Sequence, residues 1–309
     1  MQLTNRRVRL MGTVIDVSIY HEEPEPLLDQ VEALLHTYNK RFSANDDSSE
    51  LMKINKAAGL HSVTVHPELF ELIALGKWHS CQPGSHLNIA IGPLIQTWRI
   101  GFADAKLPLP EEIPPLLEII IPNAIVLSEE NHSVFLKEKG MKIDLGALAK
   151  GYIADRIADF LKAEKVTSAL INLGGNILTF GPALHNPDKK WRIGIQNPKE
   201  TRNTNLMMLA IRDQSIVTSG IYERTFEING KTYHHIFDGQ TGYPVSSDLA
   251  SLTIISSLSV DGEIWTTRLF GSSLERIFQE VSSQPNLEAI IVDKDNRCFQ
   301  TRGIYKMRI

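Results

Sequence analysis

Apolar residues recur along this chain with two spacings, and the spacing changes at short polar or glycine-rich segments. Segments with apolar residues at every third or fourth position predict helices, and segments in which apolar and polar residues alternate predict strands. The helical pattern covers residues 24–42, 51–59, 66–82, 147–163 and 261–283. Strands or hairpins are predicted within residues 8–20, 124–146, 168–181, 191–198, 207–220, 222–238, 250–257 and 287–303.

The order of these segments predicts an α+β fold, because helices and strands are mixed without strict β–α–β alternation. Asn229-Gly230 is expected to be a hairpin turn, since this pair suits a two-residue connection. Residues 101–122 are rich in proline and are expected to form a surface excursion between ordered segments. No internal repeat is visible in the sequence, and residues 1–309 are predicted to form a single domain.

Composition excludes several classes of protein. The net charge of −4 and the pI near 6.2 leave no electrostatic footprint for nucleic acid. No stretch reaches the roughly 18 apolar residues of a membrane span. The first 20 residues carry charges where a signal peptide needs an apolar core, which predicts a cytoplasmic location for the chain as given. A chain trimmed of an export signal would give the same pattern.

Cys81 and Cys298 are expected to be unpaired thiols.

Candidate chemistry first appears in residues 141–164, where a short strand is predicted to lead into a helix. Asp144 is expected to cap this helix, and Gly146 and Gly151 to let other backbone approach. Lys150 lies near the first turn, where backbone N–H groups and the helix dipole attract phosphate. The alternative interpretation is a capped helix with a solvent-facing lysine.

A carboxylate and a hydroxyl are spaced four residues apart in the helical segment 261–283. Glu263 and Thr267 would share one helix face, and such hard oxygen ligands suit Mg²⁺. Asp261 is close enough in sequence to compete for the same role. The alternative is that these acids only complement the dipole of the first helical turn.

Two further motifs complete the set. Gly174 and Gly175 interrupt a predicted strand, which indicates a bulge or a ligand close to the backbone. His234 and His235 are adjacent in a strand and would point to opposite faces, so they are not expected to share a metal. One of them is expected to act as a base or a hydrogen-bond donor. Together the motifs suit a phosphate-containing ligand held with Mg²⁺.

The order and wording of these motifs resemble the ApbE family, the FAD:protein FMN transferases. The matching pieces run in order from residue 11 to residue 271. They are "MGTVIDV", "SSELMKIN", "NIAIGPLIQTW", "KIDLGALAKGYIADRI", "INLGGNI", "WRIGIQNP", "VTSGIYER", "YHHIFDGQTGYPV" and "WTTRLFG".

The resemblance implies an α+β fold, related to the T-fold, with mixed sheets, packed helices and FAD in a central cleft. It implies that Mg²⁺ assists transfer of the FMN half of FAD to a Thr or Ser of an acceptor flavoprotein, with release of AMP. Some members hydrolyse FAD to FMN and AMP, so a Mg²⁺-dependent FAD pyrophosphatase is one alternative. A non-catalytic FAD-binding protein is another. No nucleic acid and no membrane span are expected.

The resemblance also assigns roles to individual residues. Metal ligands would be the Ala149 carbonyl, Glu263 and Thr267, because anchoring on "RLFG" aligns "GEIWTT" with the family's Asp-containing helix. A shift by two would use Asp261 but would place Trp265 at the hydroxyl position. The implied catalytic residues are His235, Glu263 and Lys150. Positions implied to line the FAD cleft are Met11, Ser49, Glu50, Asp144, Lys150, Gly175, Ser219, Gly220, His235, Asp238 and Thr241.

Three departures from the family pattern bear on this assignment. Glu263 stands for the usual Asp and lengthens one ligand by a methylene. Asn88 replaces an acid, and Gly239 replaces a proline in the "DGQTG" segment, whose loop is therefore expected to be looser. The chain contains no convincing copy of the flavinylation motif that acceptor proteins of the family carry.

Overall fold

Fifteen strands and eight α-helices make up the computed structural model, which describes residues 2–201 and 204–309. In chain order the strands are β1 (Leu3–Leu10), β2 (Thr13–Tyr20), β3 (Val63–Thr64), β4 (Ile125–Ser128), β5 (Ser133–Leu136), β6 (Ser168–Leu173), β7 (Asn176–Phe180), β8 (Trp191–Gln196), β9 (Asn205–Ile211), β10 (Ser215–Gly220), β11 (Thr225–Ile228), β12 (Lys231–His234), β13 (Leu249–Ser256), β14 (Glu288–Asp293) and β15 (Cys298–Gln300).

The helices are α1 (Pro24–Phe42), α2 (Glu50–Lys56), α3 (Pro67–Ser80), α4 (Gly92–Trp98), α5 (Ile113–Leu117), α6 (Ala149–Ala163), α7 (Ser259–Leu269) and α8 (Leu274–Ser283). Short 3-10 turns occupy Pro110–Glu112, Pro122–Ala124 and Arg302–Lys306. Among the helices in the described parts of the chain, none combines the length and the apolar sequence needed to cross a membrane.

One large sheet organises the fold, with the strand order β1-β2-β6-β7-β10-β13-β14-β15. A second sheet has the order β3-β5-β4, and the pairs β8–β9 and β11–β12 form separate hairpins. All the ladders between these strands are antiparallel. The predicted α+β class is therefore confirmed.

The large sheet is covered on both faces at its centre, and β13 is buried along its whole length. Leu252 and Ile254 belong to the main apolar core, which α1, α3, α6, α7 and α8 complete on one face. Ile255 belongs to a smaller core on the other face, with Trp191 of β8 and Leu209 of β9. Apolar side chains of this strand therefore point to both faces, and its polar residues, such as Ser251 and Thr253, are buried as well.

The predicted helices are confirmed over residues 24–42, 66–82 and 147–163, with small shifts at their ends. Four predicted segments are instead pairs of elements, and one of them, residues 207–220, contains part of β9 and all of β10. Residues 8–20 form β1 and β2 around a turn at Met11-Gly12, and residues 168–181 form β6 and β7 around Gly174-Gly175. Residues 261–283 form α7 and α8, because Gly271, with a φ of 99°, stands in a conformation that ends the helix.

The strand register gathers several loops at one end of the large sheet. Ile15 pairs with Leu173, so the Met11-Gly12 turn and the Gly174-Gly175 turn lie side by side. Strand β10 pairs with the beginning of β7 and runs past it toward the same end. The C-terminal end of β10 therefore lies beside these two turns.

Helices α6 and α7 cross at Gly151, which has no room for a side chain. A Cβ atom at this position would lie 2.6 Å from the Ser259 carbonyl oxygen, 2.7 Å from the Val260 Cα and 2.8 Å from the Glu263 Cγ. Asp155, one turn further along α6, accepts hydrogen bonds from the Ser259 and Val260 N–H groups at 2.8 and 2.9 Å. Gly151 and the Asp155 carboxylate together hold the beginning of α7 against α6.

We predict that Gly151→Ala lowers the free energy of unfolding by about 1–3 kcal/mol, because the added methyl group meets backbone atoms of α7. This is the net loss, which remains after the gain of about 1 kcal/mol that Ala brings in helix propensity. Urea unfolding measures the difference. Gly239→Ala is the control, since its Cβ would meet no atom closer than 3.4 Å. A Gly151→Ala variant as stable as the parent protein would contradict the tight crossing.

Candidate functional site

Glu263 is a buried carboxylate at the crossing of α6 and α7. Only 5% of the residue is exposed. Its Oε1 accepts hydrogen bonds from the Lys150 Nζ and the Asn176 Nδ2, both at 2.9 Å. Within the described residues no donor bonds to Oε2. Both hydrogen bonds that the protein donates to this carboxylate therefore fall on the same oxygen.

The helical geometry of α7 separates the two acids that compete for this role. Thr267 follows Glu263 by four residues and lies on the same face. Asp261 precedes Glu263 by two residues, which places it about 200° away around the helix. Burial raises the pKa of Asp155 to about 6, and the negative charge of Asp261 adds to this effect. The helical geometry thus favours Glu263 with Thr267 over Asp261. That these two residues bind a metal ion stays a prediction.

The beginning of α6 differs from the expectation for Asp144. The N-cap is Leu148, and no side chain caps the helix. Asp144 was expected to be the cap, and this is wrong: its Oδ1 accepts from the Gly146 N–H at 2.8 Å within the preceding turn. Ala149 is the first helical residue. An N-terminus without a capping acid keeps its positive dipole end available to an anion.

His235 lies next to Arg224, which follows β10 and precedes β11. The Nδ1 of His235 is 3.3 Å from the Arg224 carbonyl oxygen. Since a carbonyl only accepts, Nδ1 carries the proton and Nε2 has the lone pair. Burial lowers the pKa of His235 to about 4, with further lowering by the charges of Arg224, His234 and Lys150. The imidazole is therefore neutral at neutral pH.

Arg224 also acts on Asp144, which joins the loop before α6 to the same group of side chains. Burial raises the pKa of Asp144, and the Gly146 N–H and the charge of Arg224 partly offset this effect. The Arg224 side chain packs against Gly101. Lys150, Arg224, Asp144 and His235 thus converge from separate parts of the chain, with two cations among them.

The segment that holds Asp238 and Thr241 forms a closed loop in spite of Gly239. The Asp238 N–H donates to the Tyr243 carbonyl oxygen, and the Gly242 N–H donates to the Asp238 carbonyl oxygen, each at 2.8 Å. The buried Trp98 donates its Nε1–H to the Gly242 carbonyl oxygen at 2.9 Å. Thr241 is exposed at the tip of the loop. These bonds define the turn without the rigidity of the family's proline.

Four other predicted residues lie at the end of the large sheet described above. Met11 and Gly175 are in its two turns, with φ values of 55° and 98°. Ser219 and Gly220 end β10. A Cβ at Gly175 would meet no atom within 4 Å, so space is open above this turn. The sheet end therefore brings these four residues together, and a flavin contact for them stays a prediction.

Ser49 and Glu50 have structural partners at the beginning of α2. Ser49 is fully buried, accepts from the Met52 N–H at 3.0 Å and donates to the Ser43 carbonyl oxygen at 2.6 Å. Glu50 accepts from the His66 N–H and pairs with Arg41. These contacts explain both residue types locally, and their assignment to the FAD cleft is still a prediction.

Two residues of this site, Arg224 and Asn176, were not predicted from the sequence. Arg224 is the last residue of the quoted piece "VTSGIYER", and Asn176 directly follows the two glycines of "INLGGNI". Neither residue was assigned a role. Asn176 is only 3% exposed and bonds to Glu263. An asparagine directly after a two-glycine turn at a strand start was the available signal. Arg224 had no signal beyond its charge.

A cavity of about 440 Å³ lies elsewhere, between β9, β15, α8 and the C-terminus. Its walls include Met207, Phe278, Phe299 and Tyr305, with Arg308 as the one cation among its lining residues. No Asp or Glu side chain is among the described residues that line this cavity. The polar cluster around Glu263 is therefore the better candidate for catalysis.

No three His, Cys, Asp or Glu side chains form a metal-binding cluster in residues 2–201 and 204–309. The candidate metal site consists instead of one carboxylate, one hydroxyl and one main-chain carbonyl. This donor set contains only hard oxygen ligands, which suit Mg²⁺.

This chain is similar to known proteins over most of its length. The model of the ApbE family matches residues 11–291. An FAD:protein FMN transferase of Klebsiella pneumoniae strain 342 is 43% identical over 286 residues, 93% of this chain and 88% of that protein. A protein of the same name from Treponema pallidum strain Nichols is 33% identical, over 97% of this chain and 87% of its own length.

Solved structures show the same fold. The ApbE protein of Thermotoga maritima has a TM-score of 0.91 at 23% identity, with 100% of both chains covered. The flavin transferase ApbE of Vibrio cholerae has a TM-score of 0.86 at 20% identity, with 99% of each chain covered. At these identities the likeness concerns the fold.

We predict that the His235 ring titrates near pH 4, below its ordinary value of 6.5. Burial and the nearby cations disfavour the charged form, so this residue contributes stability that is complete above pH 6.5 and is lost as the pH falls through about 4. Two-dimensional ¹H–¹⁵N NMR of the ring nitrogens measures the midpoint and the tautomer, with His235→Gln as the assignment control. A midpoint near 6.5, or a proton on Nε2, would contradict the described environment.

Proposed function

This chain belongs to the ApbE family, and on that premise we propose that it transfers the FMN moiety of FAD to a Thr or Ser hydroxyl of an acceptor flavoprotein, releasing AMP. The relatives from Klebsiella pneumoniae and Treponema pallidum carry the corresponding name. The observation that carries the proposal is the buried Glu263, held by Lys150 beside the uncapped N-terminus of α6. A carboxylate, a cation and a helix N-terminus at one place suit a phosphate ligand with a divalent metal.

Glu263, Thr267 and the Ala149 carbonyl are the residues that would hold Mg²⁺. Gly151 supports this assignment, because it brings Glu263 of α7 against the first turn of α6, where Ala149 lies. When bound, Mg²⁺ supplies charge neutralisation at the pyrophosphate of FAD. The glutamate carries the same carboxylate chemistry as the family's aspartate on a side chain longer by one methylene.

The cations of the site serve to bind and orient the pyrophosphate. Lys150 and Arg224 both act electrostatically on His235, so all three lie within one region. Their positive charges, together with the α6 N-terminus, favour a dianionic group between them. The turns at Met11-Gly12 and Gly174-Gly175, with Ser219 and Gly220, offer backbone surface for the rest of FAD.

His235 is proposed to take the proton of the acceptor hydroxyl on Nε2. The hydroxyl oxygen forms a bond to the phosphorus on the riboflavin side, and the bond from that phosphorus to the AMP phosphate oxygen breaks. AMP leaves with the electron pair of that bond. The phosphate charges of bound FAD oppose those of Lys150 and Arg224, and the pKa of His235 is expected to rise from about 4 when FAD binds.

Two further assignments remain proposals from the sequence. The acceptor is proposed to carry a short Asp, Gly, Ser and Thr-rich motif, as targets of the family do. We also infer that residues 1–309 work as a single flavin transferase domain, because strands from both ends of the chain join one sheet.

The test is mass spectrometry of a synthetic peptide with such a motif, after incubation with this protein, FAD and Mg²⁺. We expect a mass gain equal to FMN less one water, and a loss of roughly 100-fold in the rate of this gain with Glu263→Ala, because a proposed metal ligand is removed. Asp261→Asn is the matched control on the opposite face of α7 and is expected to keep the activity.

The other outcomes distinguish the alternatives. FMN and AMP in solution without a peptide adduct would favour the pyrophosphatase. FAD left intact at saturating Mg²⁺ would favour a non-catalytic FAD-binding protein. Loss of activity in Asp261→Asn but not in Glu263→Ala would overturn the assignment of the metal ligand.

A further inference from the structure

Asn176 is a buried amide that touches Glu263 but belongs to none of the groups assigned above to metal or substrate. It begins β7 directly after the Gly174-Gly175 turn, and it is 3% exposed. Its Nδ2 donates to the Glu263 Oε1 at 2.9 Å. At its other end, the Asn176 Oδ1 accepts a hydrogen bond from the Ser259 hydroxyl. The amide therefore uses both ends inside the protein.

The chemistry of its neighbours fixes which way this amide faces. An ionised carboxylate has only acceptor atoms, so Glu263 requires the NH₂ end of Asn176. The carbonyl end then faces Ser259, whose hydroxyl has a proton to donate. A flipped amide would set two acceptors against each other at Glu263. The hydrogen-bond partners thus determine which end of the Asn176 amide is nitrogen and which is oxygen.

Ser259 is itself held in place from two sides. Its main-chain N–H donates to Asp155 of α6 at 2.8 Å. Its hydroxyl also lies 3.0 Å from the Ser215 hydroxyl of β10. Because Ser259 is the first residue of α7, the network ties this helix to α6 and to two neighbouring strands of the large sheet.

We infer that Asn176, with its amide locked by Ser259, is a positioning residue that holds the Glu263 carboxylate in the orientation for a divalent metal ion. The inference rests on the proposed function for the identity of the metal ligand. Glutamate has one more rotatable bond than the family's aspartate, so this longer ligand has more conformational freedom to lose on binding. Lys150 and Asn176 together restrict that freedom by binding the same oxygen, Oε1.

The test measures metal affinity directly, with Mn²⁺ alone as the probe and free Mn²⁺ followed by electron paramagnetic resonance. We expect Asn176→Ala to raise the Mn²⁺ dissociation constant by roughly 10–100-fold, the usual cost of losing a group that orients a metal ligand. Ser259→Ala is expected to have a smaller effect of the same kind. Because Ser259 acts through the amide, its substitution should add nothing in the Asn176→Ala background.

Thr179→Val is the matched control for loss of a buried hydrogen bond in the same strand. Thr179 is 1% exposed, and its hydroxyl donates to the Gln214 carbonyl oxygen at 3.0 Å, away from Glu263. Its Mn²⁺ affinity is expected to be unchanged. Thermal unfolding establishes that each variant is folded, and Ser259→Ala carries the test if Asn176→Ala does not fold.

Three results would overturn the inference. They are an unchanged dissociation constant in both Asn176→Ala and Ser259→Ala, an equal loss in Thr179→Val, and a parent protein whose Mn²⁺ binding does not depend on Glu263. The measurement needs neither FAD nor an acceptor. A protein that binds Mn²⁺ as expected but transfers no FMN would therefore refute the proposed function and leave the role of Asn176 standing.

Discussion

The site depends on the ion pair between Lys150 and Glu263 where α6 and α7 cross. A carboxylate that is 5% exposed is costly to keep ionised unless cations and hydrogen-bond donors surround it. Removal of Lys150 would leave the buried carboxylate without its cation, which destabilises a buried charge. Gly151 makes the pair possible, since any side chain there would push Glu263 and the backbone of α7 away from α6.

This crossing connects two parts of the fold that are distant in sequence. Asn176 ties Glu263 to the end of the large sheet, where the Gly174-Gly175 turn leaves open space. On the other side, Lys150 acts on His235, which the Arg224 carbonyl holds in one tautomer. The carboxylate proposed to hold the metal thus lies between the open sheet end, which is proposed to bind FAD, and a neutral imidazole, which is proposed to accept a proton. A rigid arrangement of this kind suits phosphoryl transfer, in which positioning and charge neutralisation supply most of the catalysis.

Much of the fold follows from residue spacing, because long amphipathic segments such as α1 and α3 have one consistent period. The pattern could not separate β6 from β7 or α7 from α8. In the sequence, Gly174-Gly175 and Gly271 only interrupt a periodic segment, and the sequence does not show that the chain turns there. The Glu263 and Thr267 pair was predictable from helical spacing. The Asn176 contact was not, because it joins residues 87 positions apart through tertiary packing. Asp144 had the sequence of a helix cap, but the helix begins five residues later at Ala149, so local pattern alone misplaced it.

The most direct test of the account is the anomalous diffraction of Mn²⁺ in crystals of this protein grown with FAD. We expect one strong peak bonded to Glu263, Thr267 and the Ala149 carbonyl, next to the FAD pyrophosphate, with Asn176 still bonded to the Glu263 carboxylate. A peak bonded to Asp261, or FAD phosphates bound away from the beginning of α6, would contradict the central claim that the crossing of α6 and α7 builds the catalytic site.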